Sequence, residues 1–284
     1  MRLGSGTLLT ATNLLIVAFL FLPLIVVDLA SLSATSYVTF PPQGFSLHAY
    51  RDLGSHSEFL DSAILSAKVA AAVALLAPAI ALLASLGLRS LGIRSALANR
   101  LESAFLAPLS VPHVVLGIAL LQCFRLIDWD PSVHTLILGH LVITLPYGMR
   151  VISASLRGLD PNVERAAAVL GATPWQIFRL VVLPQVRSAM VASIFLAAVV
   201  SFDDVGVALF LTNAQTVTLP VRIFSYIEYQ YAPFITAIGA LLALIPIAGA
   251  VVMERTFGLA RLFGVPVETH QQSPARDQRA HGAG

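Results

Sequence analysis

Six long apolar runs with almost no charge dominate the chain and restrict what it can fold into. A helix needs about 17 to 25 such residues to cross about 30 Å of hydrocarbon at 1.5 Å per residue. The runs cover approximately residues 14–30, 59–88, 103–124, 135–156, 188–211 and 229–253. A soluble domain can bury one helix of this kind but not six in one chain. The sequence therefore predicts an all-α, polytopic membrane protein with six transmembrane helices.

The composition agrees with a bilayer as solvent. Of the 284 residues, 57% are hydrophobic and 11% are charged, whereas a soluble protein carries roughly a quarter charged residues. The net charge of +2 is too small to favour nucleic acid as a partner. The single lysine, Lys68, does not stand in a Gly-Lys-Ser/Thr phosphate-binding loop. Because Cys123 is the only cysteine, an internal disulfide and a cysteine zinc cluster are both excluded.

The arginines predict which side of the membrane each loop faces, because short cytoplasmic loops carry an excess of Lys and Arg. With the N-terminus inside, the inner segments hold 13 of the 17 cations, and the outer loops hold only Arg51, Arg125 and Arg222. Both termini are therefore expected in the cytoplasm. We divide the chain into a short cytoplasmic N-terminus (1–13), a transmembrane domain (14–257) and a polar tail (258–284) whose composition predicts disorder.

The segment 158–186, between the fourth and fifth runs, has the strongest helix signals of any cytoplasmic loop. Asp160 and Pro161 are typical of an N-cap followed by the proline favoured at the first helical position. Glu164 then falls in the first turn, where the positive end of the helix dipole favours an acid. Gly171 is a typical helix stop. The pattern predicts one short helix that ends at this glycine.

A second short helix is predicted directly afterwards. Thr173 and Pro174 repeat the cap-plus-proline signal, and Trp175 and Phe178 supply an apolar face. We expect this helix to end at Pro184, because proline interrupts helices. Two short helices separated by a glycine make a compact knob on the inner face of the membrane.

This loop resembles that of a known family. Importers of the ATP-binding cassette (ABC) class carry, in the last large cytoplasmic loop of each membrane subunit, Glu-Ala-Ala, three residues, Gly, nine residues, Ile, one residue, Leu-Pro. The positions that meet this spacing are Ala166, Ala167, Gly171, Val181, Leu183 and Pro184. Val181 replaces the isoleucine. The acidic position is occupied by Arg165, and Glu164 stands one residue earlier, which turns its side chain by about 100° around a helix.

Other segments are similar to the second permease subunit of the spermidine/putrescine type. They are Ser201-Phe-Asp-Asp204, Thr218-Leu-Pro-Val, Ile223-Phe-Ser-Tyr-Ile and the outer-loop segment Phe40-Pro-Pro-Gln-Gly-Phe45. The resemblance implies a type I ABC importer permease fold in the bacterial inner membrane. It further implies a subunit without catalytic residues, cofactor or metal of its own.

The resemblance also implies partners. A second, similar permease subunit would complete the pathway within the lipid, a dimer of cytoplasmic ATPases would drive it, and a periplasmic or extracellular binding protein would deliver the solute. The ATPase-docking residues implied by the loop pattern are Glu164, Arg165, Ala166, Ala167, Gly171, Leu183 and Pro184.

Two neighbouring carboxylates lie inside the fifth run. Asp203 and Asp204 are 16 and 17 residues beyond Arg187, or about 24 Å along a helix from the inner surface. Ionisable groups within the bilayer are costly and default to a functional hypothesis, here a water-filled pathway that attracts a cationic solute. The alternatives are a helix end that faces the outer water, or ion pairs with Lys68 or Arg222.

The predicted function is the permease subunit of an ATP-driven, binding-protein-dependent importer. It would form half of the pathway for a small cationic or zwitterionic solute, with a polyamine-like solute favoured. The rival is a secondary transporter driven by an ion gradient, which requires inverted repeats that the sequence does not clearly contain. A membrane-embedded enzyme is disfavoured, since His113, His134 and His140 show no metal-ligand spacing and no nucleophile motif is present.

Overall fold

The computed structural model describes residues 4–35, 41–92, 95–229 and 234–257, and nearly all regular structure in these ranges is helical. The helices are, in chain order, α1 (Gly4–Ser31), α2 (His48–Leu53), α3 (Ser57–Ser90), α4 (Ala96–Leu106), α5 (His113–Arg125), α6 (Val133–Arg157), α7 (Pro161–Val169), α8 (Pro174–Ile177), α9 (Leu183–Asp203), α10 (Ala208–Leu211), α11 (Leu219–Tyr229) and α12 (Phe234–Phe257). A 3₁₀ turn covers Ala107–Ser110 and a π turn covers Phe178–Val182. Position 40 of the outer-loop segment and the predicted tail lie outside the described residues.

Five stretches are long and apolar enough to cross a membrane: most of α1, α3, α6, the stretch Pro174–Asp203, and most of α12. The third predicted run is not a single straight helix. The segment 96–110 and α5 meet at 110° and together form either a sixth, broken span or a re-entrant loop. Pro112 stands at the bend, where its missing N–H and its ring prevent a regular helix from continuing.

Helices α3, α6 and α9 pack against one another and form the centre of the molecule. Their contact buries apolar side chains such as Met149 and Val186. Gly148 allows the helices to approach closely, since a Cβ there would lie 2.7 Å from Ser193 Oγ and 3.0 Å from the Ala81 Cβ. Small residues at such contacts are typical of packing between membrane helices.

The expectation that Pro184 ends a helix is wrong. The chain passes from α8 through the π turn into α9 as one helical segment of 30 residues, Pro174–Asp203. A proline ring clashes with the carbonyl four residues earlier in an α-helix, which here belongs to Leu180. The wider i→i+5 spacing of the π turn relieves that crowding, so Pro184 is accommodated in the first turn of α9.

The fifth predicted run, 188–211, is two elements. Helix α9 ends at Asp203, the backbone is extended at Asp204 (φ −71°, ψ 126°), and α10 adds a single turn. The α9–α10 break, residues 204–207, therefore interrupts the run at the predicted carboxylates. It packs beside α5 and α6.

Candidate functional site

The first half of the predicted loop folds as its capping signals indicate. Asp160 Oδ1 accepts a hydrogen bond from the N–H of Asn162 at 2.9 Å, and Pro161 is the first residue of α7. The helix ends before Gly171, which adopts φ +86°. This left-handed conformation favours glycine. Because a Cβ on Gly171 would meet no atom within 4 Å, the requirement for glycine comes from the backbone.

The second half starts with a capping box. The Thr173 hydroxyl accepts from the N–H of Gln176 at 3.3 Å, and Gln176 Oε1 accepts from the N–H of Thr173 at 2.7 Å. These reciprocal bonds satisfy two donors at the start of α8. The rings of Trp175 and Phe178 lie 5.4 Å apart. The start of the long segment that becomes α9 is thus firmly defined.

The tip of the loop exposes large apolar side chains. Val169 and Leu170 are each 87% exposed and Trp175 is 64% exposed. Helix α7 packs against α8 and the π turn, so these side chains project from a supported structure. An exposed apolar patch on an ordered loop is typical of an interaction surface.

The two charged residues at the acidic position of the loop pattern have different environments. Glu164 Oε1 lies 2.7 Å from Arg89 Nη2, at the end of α3. Arg165 is exposed, and its Nη1 reaches Asn162 Oδ1 on the same helix at 3.4 Å. Sequence reasoning missed Arg89, and the only local signal for it is a basic residue in the last turn of a long helix.

The other residues of the loop pattern divide between two elements. Ala166 and Ala167 lie on α7, and the first of them is exposed. Leu183 and Pro184 begin α9; Leu183 packs against the core, whereas Pro184 is exposed. The pattern therefore joins a surface helix to a core helix across Gly171.

A second ion pair lies near the loop. Arg157 Nη1, at the end of α6, is 2.9 Å from Glu102 Oε1 on α4. A cavity of about 210 Å³ lies between α3, α4 and α6, and both of these residues line it. The hydroxyls of Ser85 and Ser153 form a buried hydrogen bond of 2.9 Å at its wall. Polar contacts thus join α6 to α4 and to α3 beside the loop.

The predicted carboxylates differ sharply from each other. Asp204 is 6% exposed. Its Oδ2 accepts hydrogen bonds from the N–H groups of Val207 and Ala208 at 2.9 and 3.0 Å, and its Oδ1 accepts from His113 Nδ1 at 2.8 Å. The carboxylate thus satisfies backbone donors at the start of α10 that have no partner within that helix, and it ties the break to the first residue of α5.

Asp203 is exposed. No hydrogen bond to its carboxylate occurs within the part of the chain that the structure describes. His140 is buried beneath the pair, where its Nδ1 lies 2.8 Å from Ser201 Oγ and its Nε2 lies 3.9 Å from Asp204 Oδ2. Of the two carboxylates, only Asp203 presents its charge to a space outside this chain.

Glycines bring the break against α5. A Cβ on Gly206 would lie 2.6 Å from the Cβ of His113 and 3.1 Å from the backbone N of Val114. A Cβ on Gly117 would lie 2.9 Å from the carbonyl oxygen of Gly206. Glycine at these positions permits direct contact between the two broken segments.

The cations considered as partners for the carboxylates are engaged elsewhere or are exposed. Arg222 Nε donates to Ser62 Oγ at 2.5 Å, and Lys68 is exposed on α3. His113, rather than either cation, forms the side-chain hydrogen bond with Asp204.

Comparisons with known proteins agree with this architecture. The sequence profile of the family described as "Binding-protein-dependent transport system inner membrane component" matches residues 81–256. The chain is 31% identical over 230 residues to the putrescine transport system permease protein PotI of Escherichia coli (strain K12), which covers 79% of this chain and 81% of the relative. It is 27% identical over 237 residues to the spermidine/putrescine transport system permease protein PotC of Haemophilus influenzae, covering 84% and 91%.

A solved structure shares the fold. It is that of a bacterial ABC transporter involved in the import of the acidic polysaccharide alginate. The TM-score is 0.68 at 15% sequence identity, and the match covers 89% of this chain and 94% of that chain. At this identity the likeness establishes the fold alone.

Proposed function

The chain belongs to the family of binding-protein-dependent transport system inner membrane components, and we propose that it forms one half of a solute pathway whose other half is a second permease subunit. A cytoplasmic ATPase dimer docks on the loop 158–186 and drives the cycle. A binding protein outside the membrane delivers the solute. The chain itself performs no covalent chemistry.

The ordered loop with its exposed apolar tip carries this proposal. Val169, Leu170 and Trp175 offer an apolar surface that the chain itself does not cover, and such a surface needs a partner. The segment Pro174–Asp203 connects this surface to the core without a helix break. A partner bound at the tip is thus mechanically connected to the centre of the bundle.

A small cationic or zwitterionic solute, polyamine-like, is the proposed cargo. The relatives PotI and PotC are named for putrescine and spermidine/putrescine transport. The exposed carboxylate of Asp203, with the charge of Asp204 beside it, gives this region a negative potential that attracts cations. The structural neighbour imports an acidic polysaccharide, so the cargo has to be argued from side chains and not from the fold.

Both termini are proposed to lie in the cytoplasm. The excess of cations in the predicted inner segments, 13 against three in the outer loops, supports this orientation. It puts the loop 158–186 on the same side as the ATPase and the α9–α10 break in the outer half of the membrane.

Reconstitution of the purified complex tests the proposal. Proteoliposomes that contain this chain, its co-purifying permease and ATPase subunits and the binding protein should accumulate radiolabelled putrescine only with hydrolysable ATP. A non-hydrolysable ATP analogue is the matched control. Uptake driven by an ion gradient through this chain alone would contradict the proposal and favour a secondary transporter.

A further inference from the structure

The Arg89–Glu164 ion pair joins two elements that the chain connects only through distant segments. Arg89 stands in the last turn of α3, one of the three core helices, and Glu164 stands in the first turn of α7. The separation of 2.7 Å between Arg89 Nη2 and Glu164 Oε1 is that of a close ion pair, although the two groups are not oriented as a hydrogen bond. The pair therefore holds the loop against the inner end of α3.

Both charges are favoured where they stand. A cation is stabilised at the C-terminal end of a helix and an anion at the N-terminal end, and this pair brings such ends together. The side chains of Arg89 and Glu164 are only 22% and 26% exposed. Partial burial reduces screening by solvent and salt, which makes the contact more persistent than a fully exposed pair.

Glu164 is one residue away from the acidic position of the loop pattern. The loop pattern has its acid at the position that Arg165 occupies here, and one residue of shift turns a side chain by about 100° around the helix. Glu164 contacts α3 of its own chain, whereas Arg165 is exposed on α7. Glu164 is thus engaged within the subunit, and the exposed charge next to it, on Arg165, is positive.

The loop is already connected to the other two core helices. It follows α6 directly after Arg157, and its second half continues into α9. Neither connection includes α3, which precedes the loop by two long segments of chain. Helix α3 meets the loop indirectly, through its packing against α6 and α9, and the ion pair with α7 adds a direct contact between α3 and the loop.

We propose that Arg89 is a coupling residue, which through Glu164 makes α3 move together with the loop 158–186 when the ATPase moves. This inference rests on the proposed docking of an ATPase at that loop. Arg89 acts as a positioning residue: it contacts neither the ATPase nor the solute, and it transmits motion that is generated elsewhere.

Charge reversal in the complete transporter tests the proposal. In Arg89→Glu, the ATPase should co-purify in the wild-type ratio and retain basal ATP hydrolysis, while putrescine taken up per ATP hydrolysed falls at least fivefold. The double variant Arg89→Glu/Glu164→Arg, which restores an attractive pair, should recover to within about threefold of wild type. The matched control Arg157→Glu, which breaks the pair with Glu102 outside the loop, should stay within twofold.

The other outcomes contradict either this inference or the proposed function. Uptake per ATP that is unchanged in Arg89→Glu, or equally reduced in Arg157→Glu, overturns the inference. Loss of the ATPase from Arg89→Glu also overturns it, because the pair would then belong to the docking surface itself. Failure of the wild-type chain to retain any ATPase refutes the proposed function instead.

A cross-linking experiment tests the same inference if the charge-reversed variants do not assemble into a transporter. Arg89→Cys and Glu164→Cys are combined in a Cys123→Ser background and joined by a short bis-maleimide reagent. If α3 and the loop move as one body, the linked transporter should keep at least half of the uptake of the unlinked one. Abolished uptake on linking would show that the two elements must separate, and would overturn the inference.

Discussion

Removal of the Asp204 carboxylate should lower the stability of the protein, whereas removal of the neighbouring Asp203 carboxylate should weaken transport. Asp204 accepts three hydrogen bonds in a buried position, from Val207, Ala208 and His113. Hydrogen bonds to a charged group each contribute about 1.5–3 kcal/mol. Because His113 is partly exposed and can recover water, we expect Asp204→Ala to lower the free energy of unfolding by about 3–5 kcal/mol.

Asp203→Ala is the matched control, because it removes the same group one residue away. No hydrogen bond to this carboxylate occurs among the described residues, so the expected change in the free energy of unfolding is within about 0.5 kcal/mol. Its effect should instead fall on transport. Loss of a nearby negative charge should weaken binding of a cation by at least about 1.4 kcal/mol, which is tenfold.

Two measurements separate these effects. Thermal stability of the detergent-solubilised complex, followed by fluorescence-detected size-exclusion chromatography, should fall by about 10 °C for Asp204→Ala and remain unchanged for Asp203→Ala. The concentration of loaded binding protein or putrescine that gives half-maximal uptake should rise tenfold for Asp203→Ala. Equal stability of the two variants would refute the assigned role of Asp204, and wild-type uptake by Asp203→Ala would refute that of Asp203.

Changes at four further positions test the packing and the loop. Gly171→Ala should strain the backbone by about 1–2 kcal/mol and weaken ATPase co-purification. Gly171→Asn should retain the ATPase, because asparagine tolerates a positive φ. Equal retention of the ATPase by both variants would argue against a backbone requirement for glycine. Gly206→Ala places a Cβ 2.6 Å from a side-chain carbon of α5 and should destabilise the complex by about 1–3 kcal/mol. Gly87→Ala, where a Cβ meets no atom within 4 Å, should be neutral or stabilising by up to about 1 kcal/mol in the same thermal assay. Arg222→Ala removes the hydrogen bond to Ser62 and should cost about 1–3 kcal/mol, and an unchanged melting temperature would show that this contact contributes nothing.

Features with a local cause could be predicted from the sequence. The helix start at Asp160 and the stop at Gly171 depend on residues within one turn, and both occur where the capping signals put them. The long spans follow from hydrophobic length alone. Five of the predicted runs correspond to long apolar helices, although the fifth run ends earlier than expected.

Features that depend on contacts between residues far apart in the chain could not be predicted from the sequence. The end of α9 depends on the hydrogen bond between Asp204 and His113, 91 residues apart, and on Gly206 lying against α5. The hydrophobic pattern continues through this break, so it predicts a helix where the structure has none. Arg89 was missed for the same reason, because its partner Glu164 belongs to a different segment of the chain.

The helix continues through Pro184 for another reason. A proline is incompatible with a regular α-helix interior, yet one wide turn accommodates it. Local residue preferences alone do not indicate whether a chain will stop at a proline or change its helical pitch. Here the core contacts of Val182 and Val186 on either side favour the change of pitch.

In the proposed coupling mechanism, the segment Pro174–Asp203 is a lever arm. Its 30 residues extend about 45 Å at 1.5 Å per residue, so a tilt of about 10° about one end displaces the other by about 8 Å. In the proposed coupling, a small rotation at the end of the segment near the loop becomes a movement the size of a small solute at the opposite end.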